Sequence, residues 1–495
     1  MTSLWHDTSS RAPSAGGSLP EHAQLVVVGA GITGLTTALL AQRAGVDVLV
    51  LEGRHLGAAA TGNTTAKVSL LQGTILSAIR AHHDDDAVRA YVQANAAGQQ
   101  QVHELMDELG VAYQREAAYT YVNHDSGIST LEKEYDAASA AGLPVLWAET
   151  TELPYRTGGA IRLADQLQMD PVELLEALHR AFVDAGGRVV EGVRVTGLGL
   201  RSDTVQTTYG VVRAPHVVLA TGAPILDRGG HFTRLVAERS YALAFRVPDG
   251  GPAVPDGMYL AADSPSRSLR YAPHDDGRLL LVGGNGHEVG REPDTQRRVD
   301  ELVSWTEEHW PGAVLTHQWS AQDYAAENQL PIVQSLPGGS GIQVATGFHK
   351  WGMSNGPAAA IAMVAHVTGE AEPSWRAEMR RRVPGVRDLA EATRAGTKVG
   401  FHAVRGWTGA LAPFGSSAPA PGEGHVHREG ASVVATSNVD GRVCSVSGIC
   451  THLGGILQWN AAETSWDCPL HGSRFAADGT LLEGMATKDL SQVDD

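Results

Sequence analysis

Cysteine is scarce in this chain, with three residues in 495, which argues against a framework of disulfides and favours a reducing compartment. Basic residues are in deficit, because 38 Lys and Arg stand against 55 Asp and Glu. The formal net charge of −17 opposes binding to nucleic acid or to a membrane surface. The sequence contains no run of eighteen apolar residues, so it predicts no membrane-spanning helix. Residues 1–22 contain no apolar targeting core and no twin arginine, so we expect a polar N-terminal tail and a cytoplasmic protein.

Two of the three cysteines lie beside histidines near the C-terminus. The pairs are Cys450-x-His452 and Cys468-x-x-His471. A [2Fe–2S] cluster held by two thiolates and two imidazoles can take one ligand of each kind from each of two loops. A structural zinc site uses the same four donors in a tetrahedron, but zinc motifs pair Cys with Cys and His with His. The mixed pairs therefore favour the iron–sulfur cluster over zinc.

The sequence around these ligands strongly resembles the Rieske domain family over residues 424–495. The motifs that carry the resemblance are CTHLGG and CPLHGS, with fifteen residues between His452 and Cys468. The resemblance implies a small all-β domain in which Cys450 and Cys468 bind one iron, while His452 and His471 bind the other.

Five further positions bear on that cluster. Gly455 and Leu470 stand where respiratory-chain members of the family carry two cysteines joined by a disulfide. The third cysteine, Cys444, lies in an alternating run that predicts a strand. Ser473 is placed to donate a hydrogen bond to cluster sulfur, but Phe475 replaces a tyrosine found in high-potential members. We therefore expect a potential in the lower part of the Rieske range of about −150 to +300 mV.

A glycine motif near the N-terminus predicts a dinucleotide site. The apolar run at residues 25–28 leads into GAGITG, which contains Gly29, Gly31 and Gly34, and then into a helical stretch. In such a turn the first glycine permits tight reversal, the second lets backbone approach a pyrophosphate, and the third lets helix and strand pack closely. Glu52, at the end of the next strand, can accept a hydrogen bond from a ribose hydroxyl.

Three later segments resemble the D-amino-acid-oxidase-like (DAO) family of FAD-dependent oxidoreductases, and the resemblance implies FAD rather than NAD. They are residues 57–74, 216–222 and 342–370. Besides the four motif residues above, the resemblance implies cofactor contacts at Thr61, Gly62, Thr64, Thr65, Val193, Thr221, Gly222, Gly347, Trp351, Gly352 and Met353.

The last of these segments predicts a helix that points at the flavin. Asn355 can cap the helix, and Pro357 lies in its first turn. The N-terminus of such a helix would stabilise the anionic edge of a reduced flavin. His349 and Lys350 in the preceding loop are candidates for catalysis, and a structural role is the alternative for each.

The DAO resemblance implies oxidation of a small amine or amino acid, with electrons then passing singly to the cluster and to a one-electron protein partner. Substrate contacts are expected in inserted segments at residues 84–149 and 241–329. Candidates there are Tyr241, Arg270 and Tyr271, and Arg270 could bind a carboxylate or form a structural ion pair. Two alternatives stay open: a reductase with reversed electron flow, and a non-catalytic electron carrier or redox sensor.

The expected fold class is α/β, with a Rossmann-like FAD domain and an interleaved α+β substrate domain over residues 23–375, followed by the small Rieske domain. Residues 376–423 read as a helical segment and a Pro/Ser/Gly linker, in which 413–421 predicts a flexible tether. We expect the two bodies to have separate cores.

The run LLLVGGNGHEVG at residues 279–290 looks like a second nucleotide loop. Its glycine spacing is GxGxxxG, and Pro293 follows before any helix can start. We interpret it as a strand of the substrate domain.

Overall fold

The structure is a computed structural model, and it describes residues 1–9, 18–199, 203–225, 230–275, 277–336, 341–380 and 419–493. Most of the predicted linker, residues 381–418, lies outside these ranges, and with it lies most of the predicted tether. Among the described residues, no helix combines the length and the apolar character needed to cross a bilayer.

A six-stranded sheet is the centre of the dinucleotide-binding unit. It consists of β1 (Leu25–Val28), β2 (Val48–Leu51), β7 (Arg188–Val190), β11 (His216–Leu219), β17 (Ile332–Ser335) and β18 (Ile342–Thr346). The order is β17-β18-β11-β1-β2-β7, and all neighbours are parallel except β17 and β18. Every residue of β1 and β2 is buried, because helices pack on one face of the sheet and strands within residues 195–213 pack on the other.

The helices of the described chain are α1 (Leu4–Thr8), α2 (Ile32–Arg43), α3 (Ala60–Asn63), α4 (Ile75–His82), α5 (Asp85–Leu109), α6 (Ile128–Ala140), α7 (Pro171–Asp184), α8 (Thr295–His309), α9 (Gly352–Thr368) and α10 (Ser374–Arg380). Residues of α2, α5, α7 and α9 share one apolar core with β1 and β2. Asp170 caps α7, since its carboxylate accepts hydrogen bonds from the N–H groups of Val172 and Glu173.

One predicted helix boundary is wrong, and one helix was not predicted. Helix α9 begins at Gly352, so Asn355 and Pro357 lie inside it. The Asn355 amide donates to the Tyr91 hydroxyl at 3.2 Å and accepts from the Asn95 amide at 3.1 Å, and these contacts with α5 take the place of a capping role. Helix α1 lies in the segment predicted as a tail, where its apolar residues are buried.

A nine-stranded sheet forms the substrate side of the molecule. It consists of β3 (Lys67–Val68), β4 (Tyr113–Val122), β5 (Leu146–Ala148), β6 (Gly159–Met169), β12 (Leu235–Arg246), β13 (Met258–Ala261), β14 (Arg267–His274), β15 (Gly277–Glu288) and β16 (Val314–Ala326). The order is β16-β12-β15-β14-β13-β4-β6-β3, and β5 pairs with β6. The sheet thus extends beyond the two predicted insertions. Strand β15 is antiparallel to β12 and β14, so the second glycine run is a sheet strand and not a nucleotide loop.

Smaller β-sheets complete the fold. One, beside the dinucleotide-binding unit, contains β8 (Val195–Leu198), β9 (Thr204–Thr207) and β10 (Gly210–Arg213). The C-terminal unit is all β, with one sheet of β19 (Gly424–Glu429), β20 (Ser432–Val439) and β21 (Arg442–Ser447), and another of β22 (Gln458–Asn460), β23 (Ser465–Asp467), β24 (Arg474–Ala476) and β25 (Leu481–Glu483). Cys444 lies in β21, where a strand was predicted.

The cores of the units are not separate, contrary to the expectation from the sequence. Met485 of the C-terminal unit packs in one apolar cluster with Val289 and Ile332. Ala462 packs in another with Tyr241 and Leu302. The C-terminal unit is therefore docked on both the dinucleotide-binding unit and the nine-stranded sheet.

Candidate active site and iron–sulfur centre

Two turns of the same construction carry the four predicted cluster ligands. In the first, the Cys450 N–H donates to the Gly455 carbonyl at 2.8 Å. In the second, the Cys468 N–H donates to the Ser473 carbonyl at 2.8 Å. Each turn therefore has its cysteine fixed by the backbone.

The four donors are arranged as a pair of sulfurs and a pair of rings. The thiols of Cys450 and Cys468 are hydrogen-bonded to each other, and the ring centroids of His452 and His471 lie 5.2 Å apart. Within the part of the chain that the structure describes, no three His, Cys, Asp or Glu side chains form a group that could hold a single metal ion. A cluster needs only two ligands on each iron, so the arrangement fits a [2Fe–2S] cluster better than tetrahedral zinc.

The environment of the cysteines favours the thiolate at Cys450. A hydrogen bond from the Cys468 thiol lowers the pKa of the Cys450 thiol to about 7. Burial opposes this effect, while hydrogen bonds from the His452 N–H and the Ser473 hydroxyl add to it. The Ser473 oxygen also accepts a hydrogen bond from the Ala486 N–H at 3.0 Å. Ser473 is thus oriented to donate to ligand sulfur, as its position in the motif predicts.

An apolar contact occupies the place of the disulfide that respiratory-chain members carry. A Cβ added at Gly455 would lie 2.8 Å from Cγ of Leu470 and 2.9 Å from Sγ of Cys468. All three cysteines, including Cys444, are free thiols. The Leu470 side chain therefore packs against Gly455, where the absence of a side chain leaves room for it.

A long cavity is lined by residues of the six-stranded sheet, the nine-stranded sheet and the C-terminal unit. Most of the residues predicted to contact FAD lie in its wall: Gly29, Gly31, Glu52, Thr61, Thr64, Thr65, Thr221, Gly222, Trp351, Gly352 and Met353.

The glycine motif has the geometry that a dinucleotide requires. Gly29 has a φ of +105°, and a Cβ there would lie 2.6 Å from the Ala220 carbonyl oxygen. A Cβ at Gly34 would lie 1.9 Å from the Gly29 oxygen. A side chain at Gly34 would therefore force the helix away from the strand, and one at Gly29 would clash with the backbone that follows β11. A Cβ at Gly31 would meet only the Thr61 side chain, at 3.0 Å, and would otherwise occupy the cavity.

Glu52 is held in position by its own chain. Its two carboxylate oxygens accept the N–H groups of Ala30 and Arg54, each at 2.8 Å. A carboxylate oxygen can accept more than one hydrogen bond, so both can still receive a ribose hydroxyl. The cavity therefore fits the adenosine end of FAD.

Four predicted FAD contacts lie outside the cavity wall: Gly34, Gly62, Val193 and Gly347. Val193 is buried in the core, and its neighbours Arg194 and Val195 line the cavity instead. Gly62 packs against α1, since a Cβ there would lie 2.3 Å from the His6 ring. Gly347 has a φ of +73° and turns the chain at the end of β18. Their contribution is structural, and Gly34 likewise acts through packing.

Helix α1 fixes the segment that was predicted to wrap FAD. The Ser3 hydroxyl donates to the Gly62 carbonyl at 2.7 Å, and the Trp5 indole donates to the Thr64 carbonyl at 2.8 Å. Sequence reasoning missed this contact because a five-residue helix carries too few apolar positions to show a period.

The catalytic candidates divide between the cavity wall and the core. Tyr241 and Lys350 line the cavity. The Tyr241 hydroxyl lies 3.2 Å from the His287 ring nitrogen, and burial raises its pKa. The Lys350 amine lies 3.0 Å from the Glu238 carboxylate. His349 is outside the wall, and its N–H donates to the Tyr324 carbonyl at 3.1 Å.

The predicted carboxylate contact at Arg270 is not supported. Its guanidinium is buried outside the cavity wall, donates to the Met169 carbonyl at 3.0 Å and lies 5.1 Å from the Trp5 ring. The Tyr271 hydroxyl donates to the Glu116 carboxylate at 2.6 Å and is also outside the wall. Arg270 and Tyr271 are adjacent on β14, so their side chains are expected on opposite faces of the sheet. Neither side chain lines the cavity, and the sequence alone could not show this.

The loop before α9 is strained where it meets the cavity. His349 and Lys350 have φ angles of +50° and +70°, in a region that non-glycine residues rarely adopt. The Asp323 carboxylate accepts the Lys350 N–H, and burial raises the pKa of Asp323 to about 6. Such strain persists only where the surrounding structure enforces it, and it is common at functional sites.

The C-terminal unit forms part of the cavity. Its contribution, which we call the C-terminal wall, consists of Leu482, Glu483, Gly484 and Ala486. The Arg194 guanidinium, beside the adenosine end, donates to the Leu481 carbonyl at 2.9 Å. The dinucleotide site is therefore complete only when the C-terminal unit is docked.

One side chain joins the cavity to the second cluster turn. The Gln322 amide donates to the Gly472 carbonyl at 2.7 Å and to the Tyr324 hydroxyl at 2.8 Å, and Gln322 and Tyr324 both line the cavity. The second cluster turn also contacts Phe232, whose ring centroid lies 5.3 Å from that of His471. Neither contact could be found from sequence spacing, because the partners are remote in the chain.

A buried charge network holds the docked units together. It consists of Arg239 on β12 and of Glu463, Asp467, Arg474 and Glu483 in the C-terminal unit. Arg239 lies 2.6 Å from Glu463 and 2.9 Å from Glu483, while Arg474 lies 2.7 Å from both glutamates and 3.0 Å from Asp467. Against the effect of burial, Arg239 and Arg474 hold the pKa of Glu463 far below its usual range.

Comparison with known proteins agrees with this site. Residues 24–366 match the family model for the FAD dependent oxidoreductases (DAO), and residues 417–494 match that for the Rieske [2Fe-2S] domain. The chain belongs to the DAO family of FAD-dependent oxidoreductases. It carries a C-terminal Rieske domain, and its cofactors are FAD and a [2Fe–2S] cluster. The predicted family, fold class, enzyme class and cofactors are thereby confirmed.

Individual relatives share the fold and differ in how much of it they share. A putative Rieske 2Fe-2S iron-sulfur protein, YhfW of Bacillus subtilis, is 28% identical over 95% of this chain and 93% of its own. 4-Methylaminobutanoate oxidase (formaldehyde-forming) of Paenarthrobacter nicotinovorans is 27% identical over 58% of this chain and 34% of its own. Glycine oxidase from Geobacillus kaustophilus has a TM-score of 0.61 at 19% identity and covers 71% of this chain and 96% of its own.

Proposed function

We propose that this oxidoreductase takes electrons from a small amine or amino acid and delivers them singly to a protein partner. When bound, FAD supplies a two-electron hydride acceptor, and the cluster supplies a one-electron carrier. Two of the relatives named above are oxidases of 4-methylaminobutanoate and of glycine, and the fold neighbours include an L-proline dehydrogenase of P. horikoshii with a TM-score of 0.58. These names support an amine substrate for the present chain.

The observation that carries the proposal is the shared boundary between the two cofactor sites. The C-terminal wall contributes to the FAD cavity, and the Gln322 amide in that cavity donates to the Gly472 carbonyl of the second cluster turn. A cluster that served only to stabilise the fold would need no such contact. This direct contact between the two sites supports exchange of electrons between them in the docked protein.

The residues of the cavity would bind, orient and stabilise. Gly352 and Met353 present the N-terminus of α9, whose N–H groups and dipole favour negative charge on the isoalloxazine edge. Tyr241 and Ser240 of β12 face the same cavity from the substrate side, and Tyr241 can hydrogen-bond the substrate. We also propose a cytoplasmic location, from the low cysteine content and the charge balance.

The test is an anaerobic screen of the purified holoprotein. Glycine, L-proline, iminodiacetate and 4-methylaminobutanoate are added in turn, while flavin absorbance and the electron paramagnetic resonance (EPR) signal of the cluster are recorded. Bleaching of the flavin together with appearance of the reduced Rieske signal supports the proposal. Flavin reduction only by a pre-reduced one-electron donor, with no amine effective, would support the reversed direction and overturn the proposal.

A further inference from the structure

A buried lysine lines the substrate side of the cavity. Lys67 lies on β3, with 9% of its surface exposed, and it lines the cavity together with Leu260, Ser266 and Ser268. Its amine donates to the Ser268 hydroxyl and lies 3.4 Å from the Tyr259 carbonyl. A neutral amine can make both contacts with its N–H groups and still keep its lone pair.

No carboxylate in the described ranges compensates a charge on this amine. Among the described residues, Lys67 forms no ion pair with an acid, and the charge that acts on it is the Arg270 guanidinium on β14. The partner strand β6 places the neutral Gln168 opposite it. On β13, burial keeps the Tyr259 hydroxyl protonated by raising its pKa.

The charge on Arg270 is only partly balanced nearby. The acid that acts on Arg270 is Asp170, at the start of α7, and burial itself raises the pKa of Asp170 to about 6. Burial first, and repulsion by Arg270 second, lower the pKa of Lys67 to about 7. The amine is thus poised to exchange a proton near neutral pH.

We propose that Lys67 is the base that accepts a proton from the ammonium group of the amine substrate. This inference rests on the proposed function, because an ammonium nitrogen has no lone pair to assist loss of hydride from the adjacent carbon. One N–H bond of the substrate breaks and one N–H bond forms on Nζ of Lys67, and no electrons change hands. After the product leaves, Lys67 returns the proton to water. A base is most effective when its pKa lies near the working pH.

The first experiment measures the titration of Lys67 directly in the oxidised, FAD-loaded protein. The chain has five lysines, so labelling with ε-¹³C-lysine gives few resonances, and the Lys67 resonance is the one that Lys67→Met removes. The expected midpoint lies within one unit of pH 7. A midpoint above pH 9 would show that Lys67 is charged under working conditions and would overturn the inference.

The second experiment follows flavin bleaching by the most effective amine as a function of pH. Lys67→Met should lower the limiting rate at pH 7 about 100-fold, the lower end of the effect of a general base, and should move the pH dependence to the pKa of the free amine. Lys67→Arg should lower the limiting rate by the same factor, since a guanidinium does not accept a proton. Lys133→Met, on the exposed side of α6, is the matched control and should behave as wild type.

The outcomes separate the inference from the function on which it rests. If Lys67→Arg keeps the wild-type rate while Lys67→Met only raises KM, Lys67 binds a substrate carboxylate as a cation, and the base role is wrong. If amines bleach the flavin but Lys67 titrates normally, the inference falls and the proposed function stands. If no amine bleaches the wild-type flavin, both fall.

Discussion

The docking of the Rieske domain can be tested at Arg239, the one member of the buried charge network that belongs to the nine-stranded sheet. In Arg239→Met, one cation, Arg474, is left against the three carboxylates of Glu463, Asp467 and Glu483. Breaking a buried ion pair by removing one partner costs about 3–5 kcal/mol. At about 1.36 kcal/mol for each factor of ten, the docked state should lose between roughly two and four powers of ten in its equilibrium constant.

The assay is denaturant unfolding of the holoprotein, followed separately by flavin fluorescence and by the visible absorbance of the cluster. Because the C-terminal wall belongs to the FAD cavity, the two signals should change in one transition in the wild type. In Arg239→Met they should separate, and FAD should be released at a lower denaturant concentration.

Arg267→Met is the matched control for this prediction. Arg267 is fully buried, pairs with Glu301 at 2.7 Å and lies 5.1 Å from the Trp305 ring, all within the substrate side. This variant should lose stability while its two signals still change together. Coincident transitions at the wild-type midpoint in Arg239→Met would refute the claim that the network holds the domains together.

Three further results are expected. Gly31→Val should lose FAD and keep its iron, because the added side chain would occupy the cavity beside Thr61; flavin and iron analysis of the folded protein measures this. Ser473→Ala should lower the reduction potential of the cluster in a redox titration, because a hydrogen bond to sulfur is removed. The lowered pKa of Lys67 means that the unfolded chain binds more protons between about pH 7 and about pH 10.4. Wild-type stability relative to Lys67→Met should therefore rise with pH in that window and be flat below it, as urea unfolding at pH 6, 8 and 9.5 can show.

Local chemistry explains which parts of the site could be predicted from the sequence. The roles of Gly29, Gly31 and Gly34 follow from backbone geometry that adjacent residues determine, and the turns with Cys450 and Cys468 carry their own hydrogen bonds. Their positions could therefore be inferred from spacing alone. The run at residues 279–290 could be separated from a nucleotide loop for the same reason.

Long-range contacts explain what the sequence could not show. Arg239 and Glu463 are 224 residues apart, and no periodicity signals that they form an ion pair. Lys67 resembles any lysine in the sequence, and its pKa is lowered by burial and by repulsion from Arg270, both of which depend on the tertiary structure. Arg270 was a candidate for a substrate carboxylate or for a structural ion pair, and the packing of its guanidinium near Trp5 in the core is compatible only with a structural role.

The central claim is that amine oxidation and the cluster are coupled within one docked protein, and a stopped-flow experiment under anaerobic conditions tests it most directly. The holoprotein is mixed with the most effective amine of the screen, flavin and cluster absorbances are recorded together, and samples are frozen for EPR. We expect the reduced Rieske signal to form as fast as the flavin bleaches, and in any case faster than the steady-state turnover. Its integrated intensity should correspond to one cluster spin per chain. A cluster that stays oxidised while the flavin is fully bleached would contradict the account.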